Sequence, residues 1–368
     1  MSKKLMHGSY RSMMVWFVFT ILSLRYGFEI WRGGDSWQTG DWLINYSDGF
    51  IRRGLLGSIL YWLSDFGASL LWLTFGLQIT IYGLMFTLVS KLYKASERSL
   101  FWLLILFSPA FLLFPFYHFS GGFRKEILVL TLFAYFSLLF AKSSVSNSKV
   151  IWIIVFYLLA GLSHELTIFV LPFFIFVLWR CVETSQLELK YAIWFSVVFI
   201  LISFFLITLS YFFKGSVESA SVICNSLVHR SLDPNICNGG IAWLQEDASG
   251  SIQRVVDMFN GRSFNVLQFA FLAFLPTAFT TFWNKETLIL LVVSVAFMVP
   301  LFVLAIDWGR WIYILAFMFY CLLLSSKVSV KLPFQFSYLV FGLIYLTTWS
   351  IPHCCVGGAI GSGIFGIR

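Results

Sequence analysis

The chain reads as an all-α polytopic integral membrane protein with about eleven transmembrane helices, and three observations carry that reading. Hydrophobic residues fill 59% of its 368 positions, charged residues only 11%, and the mean hydropathy is +0.86. Soluble domains carry about 25% charged residues, so this chain lacks the polar surface to meet water on every side. Its apolar runs are long and unalternating, which excludes barrel strands. Finally, its charges sort by type once the runs are threaded through a bilayer.

Apolar spans fall near residues 13–31, 67–90, 100–117, 127–141, 150–162, 166–179, 191–213, 264–283, 287–305, 311–325 and 335–351. A crossing needs about 20 apolar residues, which most of these approach. One set of connections then carries Lys3, Lys4, Arg11, Lys91, Lys94, Arg98, Lys142, Lys149, Arg180, Lys190, Lys285, Lys327 and Lys331, against only Glu97, Glu183, Glu188 and Glu286. The other set takes most arginines and most acids. Basic loops stay in the cytoplasm, which puts the N-terminus inside and the C-terminus in the periplasm. The net charge of +8 therefore reflects orientation in a lipid bilayer, and no nucleic-acid partner is expected. A basic start precedes the first apolar stretch, but no small-residue cleavage site follows it, so the first span is expected to be retained.

Residues 1–368 form a single transmembrane domain, with outer segments at 25–65 and 214–262. The first segment holds R-G-G-D-S-W-Q-T-G-D-W and N-Y-S-D-G-F-I-R-R-G-L-L-G. Apolar residues at helical spacing from Phe50 to Leu63 predict an interfacial helix, with Arg52 and Arg53 turned to headgroups or to a bound phosphate. The second segment ends in S-I-Q-R-V-V-D-M-F-N-G-R, a second such helix. Residues 150–179 are too long for one upright span and short for two. The polar group Ser163-His164-Glu165 at their centre predicts two short helices meeting there; a single tilted helix would move everything after it to the opposite side. Cys224 and Cys237 share the second outer segment, where an oxidising compartment permits a disulfide. Cys354 or Cys355 could pair with that loop instead. Neither zinc spacing nor a phosphate loop occurs, and no metal or cofactor is expected.

Four polar groups recur at the outer span ends. They are Asp35, Asp41 and Asp48 with Arg52 and Arg53; His118 through Arg124, Lys125 and Glu126; His164 with Glu165; and Asp307 with Arg310. Ionisable groups at membrane depth mark function by default. Arginine grips phosphate through a planar fork, so Arg52, Arg53, Arg124 and Arg310, with Lys125, suit a lipid-linked diphosphate. Asp41, Asp48 or Glu165 would take a proton from an acceptor hydroxyl, with His164 orienting the base. Structural readings stand beside these. Arg52 and Arg53 would anchor an interfacial helix, Glu126 would favour a helix N-terminus, His164 and Glu165 would pin a hairpin, and Asp307 with Arg310 would form an internal ion pair. One of the three aspartates is expected in a turn. Some of the many Trp and Tyr rings would stack on sugars, with most serving as an interfacial belt.

The order of parts resembles the GT-C superfamily of membrane glycosyltransferases: a first span, an acidic outer loop with a juxtamembrane helix, then many spans with short outer turns. Here G-D-W-L-I-N-Y-S-D-G-F-I-R-R-G-L-L-G-S-I-L-Y-W-L occupies the loop-and-helix position. More narrowly, L-R-Y-G near Leu24, F-R-K-E at Phe123 and the hairpin at His164 are similar to EpsG-like and Wzy-type polysaccharide polymerases. A clear Asp-Glu pair in the first loop, carried by many GT-C enzymes, is missing. The resemblance implies a polymerase of O-antigen or capsule repeat units in the bacterial inner membrane, with its site facing the periplasm. It would move glycan from undecaprenyl diphosphate to a sugar hydroxyl of a new lipid-linked unit, by inverting or retaining transfer, with a chain-length regulator as partner. A transferase adding single sugars and a lipid-linked glycan flippase are the alternatives. The scarcity of inner-face groups other than lysine weighs against transport.

Overall fold

The structure, a computed structural model, describes residues 2–96, 100–259, 263–326, 328–331 and 336–354. Among the described residues there is no strand, and Thr280 and Val330 form an isolated bridge. The helices are α1 (Ser2–Trp31), α2 (Gly54–Ser64), α3 (Leu70–Ala95), α4 (Leu100–Leu106), α5 (Phe114–Tyr117), α6 (Ile127–Ala141), α7 (Asn147–Ser163) and α8 (Leu166–Phe169). They continue as α9 (Leu171–Glu183), α10 (Leu189–Phe212), α11 (Val217–Val228), α12 (Ala248–Phe259), α13 (Ser263–Ala278), α14 (Lys285–Leu304), α15 (Trp308–Ser325) and α16 (Phe336–Thr347).

Among the described residues, five stretches are long and apolar enough to cross a membrane: Met13–Trp31 within α1, then α3, α10, α14 and α15. The remaining expected spans are apolar helices of shorter length, such as α6 with 15 residues and α9 with 13. The expected span at 100–117 is broken into α4 and α5. Pro109 explains the break, because it removes an amide donor and pushes Ser108 out of helical geometry.

Packing follows from what each helix shows to its surroundings. Every residue of α15 is buried, and it packs against α3, α6, α13 and α14 as the central post. By contrast α10 is apolar all round yet leaves Phe204, Tyr211 and Phe212 exposed. Such a face is consistent with a helix set against lipid, where exposed apolar area carries no hydrophobic cost.

The run at 150–179 does fold back on itself. The Tyr157 and Phe174 rings lie 5.1 Å apart, whereas 17 positions along one helix would separate them by roughly 25 Å. The Tyr157 hydroxyl also donates to the Thr167 carbonyl at 3.0 Å across the bend. Polar contacts then show which helix ends lie together. Gln186 after α9 donates to the Phe140 carbonyl at the end of α6, and Arg180 pairs with Glu286 at the start of α14. Those contacts form the lysine end of the bundle. At the other end, the starts of α6, α8 and α15 meet through Glu126, His164 and Arg310.

The segment after α16 closes this second end. At Gly309 an added Cβ would stand 1.8 Å from the Pro352 carbonyl oxygen, so only glycine admits the segment so close. The Arg310 amide donates to the His353 carbonyl at 3.4 Å. The tail Gly357–Gly366, with Cys355, lies outside the described residues.

Two interfacial-helix expectations part ways. Helix α12 exposes Ile252, Val256 and Phe259 on one face, as a helix lying in an interface would. Helix α2, however, begins at Gly54, so Arg52 and Arg53 precede it and turn inward instead of toward headgroups. Arg53 holds a left-handed backbone (φ 66°), and that reversal aims its side chain at the helix hairpin.

Candidate functional site

Three consecutive charged residues are fixed by one strained turn. Phe123 adopts φ 56°, a conformation costly for a bulky residue, and several contacts hold it there. Its amide donates to the Tyr82 hydroxyl at 2.7 Å, and its carbonyl accepts from Trp42 Nε1 and Gln78 Nε2, both at 2.9 Å. Its ring stacks on Tyr26 at 4.1 Å between centroids. Beyond this anchor, Arg124, Lys125 and Glu126 take three separate partners, and all three are buried.

Glu126 receives Arg310 as a two-point fork, at 3.1 Å from Nε and 3.0 Å from Nη2, while Arg310 Nη1 binds Asp307 at 2.9 Å. His164 Nε2 lies 3.8 Å from the same Glu126. Its Nδ1 stands 3.7 Å from Glu165 and accepts from the Leu166 amide at 3.4 Å, so the imidazole lies between two carboxylates from different elements. Glu165 is gripped by Arg53, whose Nε lies 2.9 and 2.7 Å from its two oxygens and whose Nη2 also donates to it. Arg52 Nη1 adds a longer contact at 3.9 Å. Burial works against the Glu165 charge, but Arg53, His164 and Arg52 outweigh it and hold the carboxyl well below its ordinary value.

Asp41 closes the group. It sits in the 3-10 turn Gly40–Leu43, buried, with Arg53 Nη1 at 3.7 Å. Its Oδ1 accepts no hydrogen bond. Burial raises its carboxyl, yet Lys125, Arg53, His164 and Arg124 together bring it below the usual range. The second outer segment covers it: an added Cβ at Gly240 would lie 2.7 Å from the Asp41 Cβ. The Cys224–Cys237 disulfide forms as one of the expected pairings and joins α11 to the turn Pro234–Cys237 in this covering segment.

The structure thus gathers Asp41, Arg52, Arg53, Arg124, Glu165, His164, Asp307 and Arg310 at one end of the bundle, with corrections to their expected roles. Lys125 is fully buried and donates to the Arg53 carbonyl at 2.8 Å, so it braces the arginine turn and presents no ammonium to a diphosphate. Burial pulls its ammonium down to about 8, with Asp41 opposing that fall. Asp48 lies apart from the ion-pair network: it accepts from the Ser219 hydroxyl at 2.6 Å, tying the two outer segments together. Asp35 is the turn residue, accepting from the amides of Trp37 and Gln38 at 2.8 and 2.7 Å. Arg53 and Arg310 are already neutralised by carboxylates. Arg52 and Arg124 are the cations with spare capacity, since the Nε of each is buried without a hydrogen-bond partner.

Two connections escape sequence reasoning. Glu126 reads as a helix-start residue, and only the fold shows it as the centre joining Arg310 and His164. His118 and His353, 235 positions apart, bring their Nδ1 atoms within 3.1 Å of each other. Ser120 Oγ lies 3.3 and 3.4 Å from the same two nitrogens. Among the described residues no cluster of three or more His, Cys, Asp or Glu has a metal-holding arrangement. Comparison with protein-family models, curated proteins and solved structures finds no match for this chain.

Proposed function

We propose that this chain is a glycosyltransferase of the bacterial inner membrane, with its site facing the periplasm. In this reading it polymerises lipid-linked repeat units of O-antigen or capsule. The observation that carries it is Asp41. A buried carboxylate whose Oδ1 accepts no hydrogen bond and has only the longer Arg53 contact, gathered at one end of the bundle with Arg52 and Arg124, is the pairing that base-assisted transfer from a diphosphate carrier requires.

Asp41 is the base because the other candidates are engaged. Both oxygens of Glu165 are taken by Arg53, and Asp48 hydrogen-bonds at the surface. The Asp41 carboxyl is ionised, the state in which it can accept the proton of a sugar hydroxyl, although its neighbouring cations weaken it as a base. That hydroxyl attacks the anomeric carbon and the undecaprenyl diphosphate departs with the bonding electrons. Arg52 and Arg124 meet the departing negative charge, which strengthens in the transition state. Glu165 and Glu126 hold Arg53 and Arg310 in place, and His164 lies between those carboxylates.

Asp41→Asn and Arg124→Ala tested in a producing strain decide the matter. Surface glycan on a gel should collapse from a long ladder to single repeats while both variants still insert in the membrane. A full ladder from both variants sinks the assignment. Loss of one sugar from each repeat, with chain length kept, would point to a single-sugar transferase instead.

A further inference from the structure

Outside the ion-pair network, the two outer segments and the turn at Arg124 form a ladder of two indoles capped at each end by a cation. The Arg124 guanidinium lies 5.0 Å from the Trp37 ring centre. Trp37 meets Trp243 at 5.8 Å between centroids with planes 58° apart, and Arg254 lies 4.8 Å from the Trp243 ring. Glu246 closes the far end on Arg254 at 2.9 Å. Both indoles are partly exposed, and half of the Arg254 side chain is open to solvent.

The backbone makes this a rigid platform. Asp35 pins the Trp37 amide, the Gly240 amide donates to the Ser36 carbonyl at 3.1 Å, and the Trp243 amide donates to the Gly239 carbonyl at 3.0 Å. The rungs therefore start at Arg124, beside Asp41, and run outward to the surface helix α12.

We infer that Trp37, Trp243, Arg254 and Glu246 form a saccharide-binding subsite that holds the acceptor glycan next to Asp41; this rests on the transferase reading above. An indole offers an apolar face to the C–H face of a pyranose, and a tilted pair fixes the ring's direction. The exposed Arg254 guanidinium, a flat polar group over Trp243, occupies the position a sugar ring would take. Lifting outward, it and Glu246 present a donor fork and an acceptor to the ring hydroxyls. The ladder's continuity with Arg124 delivers the terminal sugar hydroxyl toward the proposed base.

The test is intrinsic tryptophan fluorescence of the full chain in nanodiscs, titrated with repeat-unit oligosaccharide released by mild acid from producing cells. Wild type and Asp41→Asn should show the same saturable change. Trp243→Ala should bind about ten-fold more weakly or worse. Arg254→Ala, an exposed change that leaves the fold intact, should weaken binding several-fold, and Trp243→Phe should keep most of it. Wild-type affinity in both Trp243→Ala and Arg254→Ala overturns the subsite. It would leave the transferase reading standing if Asp41→Asn and Arg124→Ala still abolish long chains, whereas full ladders from those two sink the reading itself.

Discussion

At the scale of single residues, Glu126 and Arg310 dominate the energetics of the site. Each is buried, and each compensates the other in an environment that cannot hydrate a lone ion. Removing one partner of such a pair costs about 3–5 kcal/mol, because the survivor stays buried and charged. Thermal unfolding in detergent should therefore show Glu126→Gln and Arg310→Met each strongly destabilised, and the double variant less so than the sum. Simple additivity would mean the pair is not coupled. Arg310→Lys should fail to restore the wild-type melt, since a point charge cannot serve both carboxylate oxygens and Asp307 together. The sequence makes the Asp307–Arg310 half of this network legible, because residues three apart on a helix are neighbours. It hides the Glu126 half, which depends on two helix starts 184 positions apart meeting in space.

At the scale of elements, the break at His164 was readable because a polar group interrupts an apolar run too long for one span. The break at Pro109 was equally written in the sequence, yet an apolar surrounding masks it when only hydropathy is followed. The closing segment at residues 350–354 was not legible at all, since its partners Gly309, Arg310 and His118 are remote in the chain. Its docking should depend on pH. Burial lowers His118, and burial with the nearby His118 lowers His353 to about 3; Asp307 opposes that fall, while Arg310 and Arg124 add to it. Both rings are thus harder to protonate when docked than when free, so the undocked segment binds more protons as pH falls below about 6.5. Docking is fully retained above that value and weakens progressively toward about 3. Amide exchange at residues 350–354, corrected for intrinsic rates, should rise between pH 7.5 and 5.5. His353→Gln should flatten that response; an unchanged slope would remove the imidazole pair as its cause. At Gly240 an added methyl would press on Asp41, and Gly240→Ala should destabilise by about 1–3 kcal/mol with loss of long glycan. Wild-type melting and chain length would argue against the close cover.

At the scale of the whole molecule, the sorting of charge read from the sequence corresponds to two ends of one helical bundle. The end contacts of α6, α9 and α14 group Arg180 and Glu286 away from Glu126 and Arg310. Which end meets the cytoplasm is open to direct test with exposed serines on either side. In a chain with Cys354 and Cys355 changed to Ser, a membrane-impermeant maleimide should label Ser249→Cys in intact spheroplasts. Ser148→Cys should react only after permeabilisation. The reverse pattern would invert the orientation and place the Asp41 group in the cytoplasm. Helix number was the least legible feature, because apolar length predicts a crossing only when the helix is unbroken. Two apolar runs here, α6 and α13, form shorter helices that lean on α15 and do not reach full bilayer length alone.

The pairing of Glu126 with Arg310 also has a bearing on biogenesis. The two residues leave the ribosome 184 positions apart, which at 5–20 residues per second is a delay of roughly ten to forty seconds. During that interval Glu126 must wait beside a half-built bundle without its counter-ion, as Arg53 waits 112 positions for Glu165. A nascent chain in that state also lacks α15, so the apolar faces of α3 and α6 that it covers stay open, the kind of transient surface that makes incomplete chains vulnerable. Arrival of α15 is then the event that commits the chain to its final form, so stalled or truncated products ending before Arg310 should be cleared rapidly rather than accumulate.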